Sequence, residues 1–119
     1  MIMQKMRWAS LAISILLPIN AFAIGAIAVD DDEALAEPGY GLVTGRASKE
    51  EAQRDALKLC AKAGNQGCVV VAWFETCGAY AASQKFYGVG WGRTLAIAET
   101  MAMEKCGNDN CEIFISECE

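Results

Sequence analysis

The sequence predicts an α+β fold: two tandem β-β-α-β repeats forming one sheet, with two helices packed on it and disulfides linking the parts. Three observations carry this. Gly25-Ala26-Ile27-Ala28 recurs as Gly78-Ala79-Tyr80-Ala81, and the run CVVVAWFETC (Cys68–Cys77) recurs as CEIFISEC (Cys111–Cys118). Between the members of each pair lie alanines and a cysteine at helical spacing, Ala52, Ala56 and Cys60 in one case, Ala98, Ala102 and Cys106 in the other. Six cysteines and no histidine stand in a chain of 119 residues, which is the usage of a small cross-linked domain. Repeat one is assigned to 25–77 and repeat two to 78–118, with the join at Cys77–Gly78.

The chain opens on a leader. Met1–Arg7 carries Lys5 and Arg7 and no acid, Trp8–Ile19 is apolar apart from Ser10, Ser14 and Pro18, and Ala21-Phe22-Ala23 has the form of a cleavage site. Basic, apolar and cleavable regions in that order define a secretory signal peptide over 1–23. The apolar run falls short of the roughly 20 residues of a spanning helix. Residues 24–119 are then expected to be a single exported domain, periplasmic or secreted, with no membrane attachment after cleavage. No cysteine closely follows the apolar run, which argues against a lipid-modified terminus.

The elements of repeat one come in order. Gly25–Val29 is short, small and apolar, as a buried strand is. Asp30-Asp31-Asp32-Glu33 and then Pro38-Gly39 read as a solvated hairpin loop. The acidic run lacks the alternating ligands, the glycine turn and the distal acid of a calcium loop, so no metal site is assigned. Tyr40–Thr44 is the return strand. Ser48-Lys49-Glu50-Glu51 matches a capping box, with the Ser48 hydroxyl on the N3 amide and Glu51 returning to the Ser48 amide, so a helix starts at Lys49. Ala52, Ala56, Leu59, Cys60 and Ala63 form its narrow apolar face, Glu50 and Arg54 support it from the wet side, and Gly64 ends it. Asn65-Gln66-Gly67 turns the chain into the strand that begins at Cys68.

Repeat two is more compressed. Gly78–Ala82 is its first strand, Ser83-Gln84-Lys85 a turn, Phe86–Trp91 the return strand, Thr94 the helix N-cap, Leu95–Cys106 the helix and Gly107 its C-cap. Ile97, Met101 and Met103 widen its apolar arc and predict deeper burial than for the first helix. Gly64 comes four residues after Cys60 while Gly107 directly follows Cys106, so the first helix should run about one turn further.

Six cysteines allow fifteen pairings. Cys68 and Cys77 are nine apart, and Cys111 and Cys118 seven apart. In a regular strand such odd intervals point to opposite faces. The simplest scheme pairs Cys60 with Cys68 and Cys106 with Cys111 as staples between helix and sheet. Cys77 then meets Cys118 on the far face, joining the repeats. A bulge in either strand would break the parity. The same parity sets Val70, Ala72, Phe74, Ile113 and Ile115 on the helix side and Val69, Val71, Trp73 and Phe114 on the other. A sheet apolar on both faces must be covered on both or expose one to a partner.

Function is less legible. Removing Lys5 and Arg7 leaves eight bases against fifteen acids, a balance that disfavours nucleic acid and anionic lipid. No nucleophile motif is present, and a cysteine nucleophile needs a free thiolate. The spacing of the cysteines does not form zinc knuckles. Glu75 beside Trp73 is the one acid singled out for carboxylate chemistry, against its plainer reading as an ordinary strand-end acid. The glycines of Tyr87-Gly88-Val89-Gly90-Trp91-Gly92-Arg93 match neither a P-loop nor a dinucleotide fingerprint, and they read as close-approach positions in a strand. Tyr40, Tyr87, Trp91 and Arg93 are the candidate interaction patch, being residue types that anchor interfaces.

The segments GAIAVDD, YGLVTGRAS, ALKLC, CVVVAWFETCGAYA, GWG and CEIFISEC together resemble a bacterial exported family, domain of unknown function 4189, over Gly25–Cys118. The resemblance implies an exported, disulfide-linked bacterial domain and brings no catalytic residues with it. The expected function is a non-enzymatic module that binds another protein, such as an inhibitor or immunity-type protein, with no cofactor. The alternatives are a small cell-envelope hydrolase or secreted effector using carboxylates, and a structural envelope component that self-associates through the second helix.

Overall fold

Alternation along the first strand decides the architecture. Ala26 and Ala28 point one way and Ile27 and Val29 the other, and all four are fully buried or nearly so. A computed structural model describes residues 23–30 and 39–119. The leader up to Phe22, the acidic run Asp31–Glu33 and Pro38 lie outside the described residues. The elements are β1 (Ile24–Asp30), β2 (Gly39–Arg46), α1 (Lys49–Lys62), β3 (Val69–Phe74), β4 (Cys77–Ala82), β5 (Tyr87–Gly92), α2 (Leu95–Cys106) and β6 (Glu112–Cys118).

The fold is α+β, but the strands form two antiparallel sheets rather than one, in the orders β2-β1-β3 and β5-β4-β6. The apolar character of both strand faces is the reason. Ala26, Ala28 and Val43 pack with Ala52, Ala56 and Cys60 of α1, while Ala79 and Ala81 pack with Ala98, Ala102 and Cys106 of α2. The opposite faces meet each other: Ile27, Val29 and Phe74 of the first sheet pack on Tyr80 of the second, with Val89 and Phe114 beside them. Each sheet thereby covers the face that its own helix leaves open. The layers run α1, first sheet, second sheet, α2.

Phe74 sits at the joint. Its ring occupies the space that a side chain on Gly25 or on Gly78 would need, so one aromatic side chain is seated against the opening positions of both central strands.

The helices start where the sequence puts them. The Ser48 hydroxyl accepts from the Glu51 amide at 3.0 Å, and the Glu51 carboxylate accepts from the Ala47 amide at 3.1 Å, one residue earlier than the capping box predicts. Thr94 caps α2 in the same way, and Gly107 ends it in the left-handed region at φ +66°. α1 exceeds α2 by two residues, 14 against 12, about half the extension expected. The wider apolar arc of α2 does not bring deeper burial. Leu95, Ile97 and Met103 are exposed, because only the row Ala98, Ala102 and Cys106 faces the sheet and β5 lies almost against the helix backbone. Side chains on Gly88 or Gly90 would collide with backbone atoms of Ala98, Ala102 and Cys106.

The disulfides are Cys60–Cys68, Cys77–Cys118 and Cys106–Cys111, the pairs that the parity scheme selects. The central pair nevertheless forms in a different place from the one parity predicts. Cys77 opens β4 instead of ending the strand that begins at Cys68, and it lies directly opposite Cys118 on β6 within one sheet. It is also on the α2 face, clustered with Ala79, Cys106 and Cys111, and not on the far face. Bulges cause the difference. The pairing of β3 with β1 shifts around Val71, and that of β6 with β4 shifts around Phe114. Each extra residue reverses the parity of the rest of its strand. Val70 and Ile113 face the helices as expected, while Phe74 and Ile115 turn to the inter-sheet layer. Trp73 falls opposite Ala26, on the α1 side.

Asp30 is likewise not a solvated loop residue. It ends β1, is buried, and accepts from the Gly67 amide at 3.0 Å, satisfying the turn that leads to Cys68.

Candidate functional site

The four residues of the sequence-predicted patch sit on the two opposite edges of the sandwich. Tyr40 is on β2, Tyr87 and Trp91 are on β5, and Arg93 follows β5 directly. β5 alternates side chains about its axis, and Tyr87 pairs with Ala82, Val89 with Tyr80 and Trp91 with Gly78. Tyr87 and Val89 therefore share the face that looks toward the first sheet.

A row of four rings links the two edges. Tyr40 meets Phe114 edge-on at 5.5 Å between centroids, Phe114 meets Tyr80 at 6.2 Å, and Tyr80 stacks on Tyr87 at 5.8 Å. Tyr80 is 1% exposed, whereas Tyr40 and Tyr87 at the two ends are 44% and 52% exposed. The inner rings fix the outer ones, and offset or edge-on aromatic pairs add about 0.5–1.5 kcal/mol each beyond their burial. Trp91, 44% exposed, lies under the Lys105 ammonium at 4.6 Å from its ring centroid. Trp73 lies in the same relation to Lys49, at 5.2 Å.

The structure thus brings Tyr87, Trp91 and Arg93 together along β5 and leaves Tyr40 at the far end of the aromatic row. Sequence reasoning passed over Lys105 and Phe114. Phe114 occupies a bulge, which no spacing rule marks. Lys105 reaches Trp91 across the β5–α2 boundary, a contact with no fixed sequence interval.

Glu75 is exposed in the short link between β3 and β4. Open depressions among the described residues include two with these linings. One, of about 470 Å³, is lined by Lys85, Phe86, Asn108 and Glu112, and the other, of about 500 Å³, by Tyr40, Leu59, Phe114 and Glu117. Each carries one acid, whereas glycoside hydrolysis uses two carboxylates facing one bond. Among the described residues no group of His, Cys, Asp and Glu is placed to hold a metal ion. Asp55 is held below the usual carboxylate range by the hydrogen bond from Arg46, at 2.8 Å. This pair braces the middle of α1 against the end of β2. Among the described residues no helix is long and apolar enough to cross a membrane.

The solution NMR structure of Rv1813c from Mycobacterium tuberculosis is similar at a TM-score of 0.65 and 25% identity, over 98% of this chain and 99% of that one. A search of curated proteins finds no significant match. The family model for a domain of unknown function, DUF4189, matches residues 24–118, and the chain belongs to that family.

Proposed function

We propose that the protein is an exported, non-enzymatic module that binds another protein, of inhibitor or immunity type. One observation carries the reading: a frame closed by three disulfides holds Tyr40, Tyr87 and Trp91 about half exposed on its edge strands. Ordered aromatics presented on a rigid frame lose little entropy on binding and are typical interface anchors. The test is a pull-down from periplasm or culture medium with the oxidised protein and with a Tyr87→Ala/Trp91→Ala variant. A specific partner retained by the first and lost by the second is expected. Recovery of no specific partner counts against the reading.

Two further readings belong with it. The leader is a signal peptide, so the exported protein should begin at Ile24 on N-terminal sequencing. The halves are copies of one unit; their shared order of strand, strand, helix, strand, and the matching bulges in β3 and β6, support this.

A further inference from the structure

Three of the four edge strands interrupt their own pairing. β2 has an extra residue near Gly45, β3 one near Val71 and β6 one near Phe114. β5 keeps one-to-one register with β4 from Tyr87 to Gly92, and its residues YGVGWG include no charge and no proline. Bulges, charges and prolines are the usual guards of a sheet edge, and a flat uncharged edge is a template for another strand.

The surroundings of β5 add chemical selectivity. Lys85 precedes the strand, Arg93 follows it and Lys105 covers Trp91. All three are exposed, and none forms an ion pair with an acid among the described residues. This basic fringe stands in a chain whose net charge is −5. Between its ends the surface is apolar: Tyr87 and Trp91 on the strand, and Ile97 of α2 beside Gly92.

We propose that β5 receives an extended segment of the partner by strand addition, and that this segment is acidic at its ends with β-branched or apolar residues between. The proposal deepens the binding function above and rests on it. Main-chain hydrogen bonds would supply affinity, and the side chains alongside would supply selection. A second copy of this chain suits the edge less well. Antiparallel pairing centred on Val89 would set Lys85 of one copy opposite Arg93 of the other, and like charges directly opposed across strands are destabilising.

The experiment uses the disulfide-intact chain and synthetic peptides of about nine residues, the length of a typical strand. Each alternates valine and threonine in its middle; one has a pair of glutamates at both ends and the other a pair of lysines. Amide exchange and the Trp91 indole resonance are followed by NMR. The acidic peptide should protect β5 amides and bind at least about tenfold more tightly than the basic one, with the gap closing in high salt. Arg93→Glu/Lys105→Glu should reverse the preference while leaving the circular dichroism unchanged. Of two acidic peptides N-methylated on alternate amides, one should lose binding and the other keep it. Four results would overturn the proposal: no binding at millimolar peptide, equal binding of both peptides, protection on another strand, or β5 protected by self-association without peptide. If the pull-down partner is lost on Tyr87→Ala/Trp91→Ala but is indifferent to Arg93→Glu/Lys105→Glu and to competing acidic peptide, the binding function stands and strand addition falls.

Discussion

Gly90 meets α2 with backbone alone. A methyl group there would fall on the Ala98 carbonyl oxygen and the Ala102 amide, neither of which can move without bending the helix. Gly90→Ala should therefore lower the urea midpoint by an amount equivalent to about 1–3 kcal/mol, the usual range for overpacking. Gly45 is the contrast. It has open space around its Cα but a φ of +71° in the bulge of β2, so Gly45→Ala should cost about 1–2 kcal/mol through backbone conformation alone. Pairing each with a substitution to leucine, which adds bulk without branching at Cβ, separates the causes in the same urea titration. The added bulk should worsen position 90 much more than position 45.

Asp55 makes a pH prediction at the same scale. Its carboxyl titrates lower in the folded chain than in the unfolded one because Arg46 donates to it. A depressed pKa gives stability that is present above the unfolded-state pKa and is lost as the pH falls through the folded-state value. Stability should drop below about pH 4, and Asp55→Asn should flatten that part of a curve of melting temperature against pH. An unchanged acid limb in the variant would refute this.

At the scale of elements, the disulfides differ in the chain they close. Cys77–Cys118 spans a separation of 41 residues, against 8 for Cys60–Cys68 and 5 for Cys106–Cys111. Loop entropy gives about 4 kcal/mol for the first and about 2–3 kcal/mol for the others. Paired Cys→Ala replacement should lower the melting temperature most for Cys77–Cys118, as read by calorimetry.

The elements were readable from the sequence to the extent that local chemistry fixes them. Ser48, Thr94 and Gly107 mark helix ends because a cap involves only neighbours in the chain. Glycines 88 and 90 mark close approach because nothing else allows it. Strand faces were not readable past Val71 and Phe114, since a bulge is set by how two distant strands twist together. The cysteine pairs emerged in spite of that, because Cys60 and Cys106 have partners only a short turn away and leave two cysteines over. For the interaction patch, exposure of Tyr87, Trp91 and Arg93 on one edge follows from strand alternation and a loop end, but the cover of Lys105 over Trp91 needed the packing of α2 on β5.

For the whole molecule, the inter-sheet layer decides what can fold alone. A fragment of residues 24–75 would retain α1 over one face of its sheet and leave Ile27, Val29, Leu42 and Val71 uncovered on the other. Burial of such side chains is worth about 1.5–3 kcal/mol each. The fragment should be unfolded or associated at concentrations where 24–119 is folded, as checked by circular dichroism and size-exclusion chromatography. A folded monomeric fragment would contradict the layered arrangement.

Phe74 adds a consequence of its own. A single ring is seated against Gly25 near the start of β1 and against Gly78 near the start of β4. Trading the ring for something smaller opens Gly78, whose nearest neighbours are all Phe74 ring atoms, but leaves Gly25 closed by the Val43 carbonyl oxygen. The two glycines are therefore held to different degrees: a smaller residue at position 74 permits a side chain at 78, while position 25 stays glycine as long as β2 keeps its place beside it.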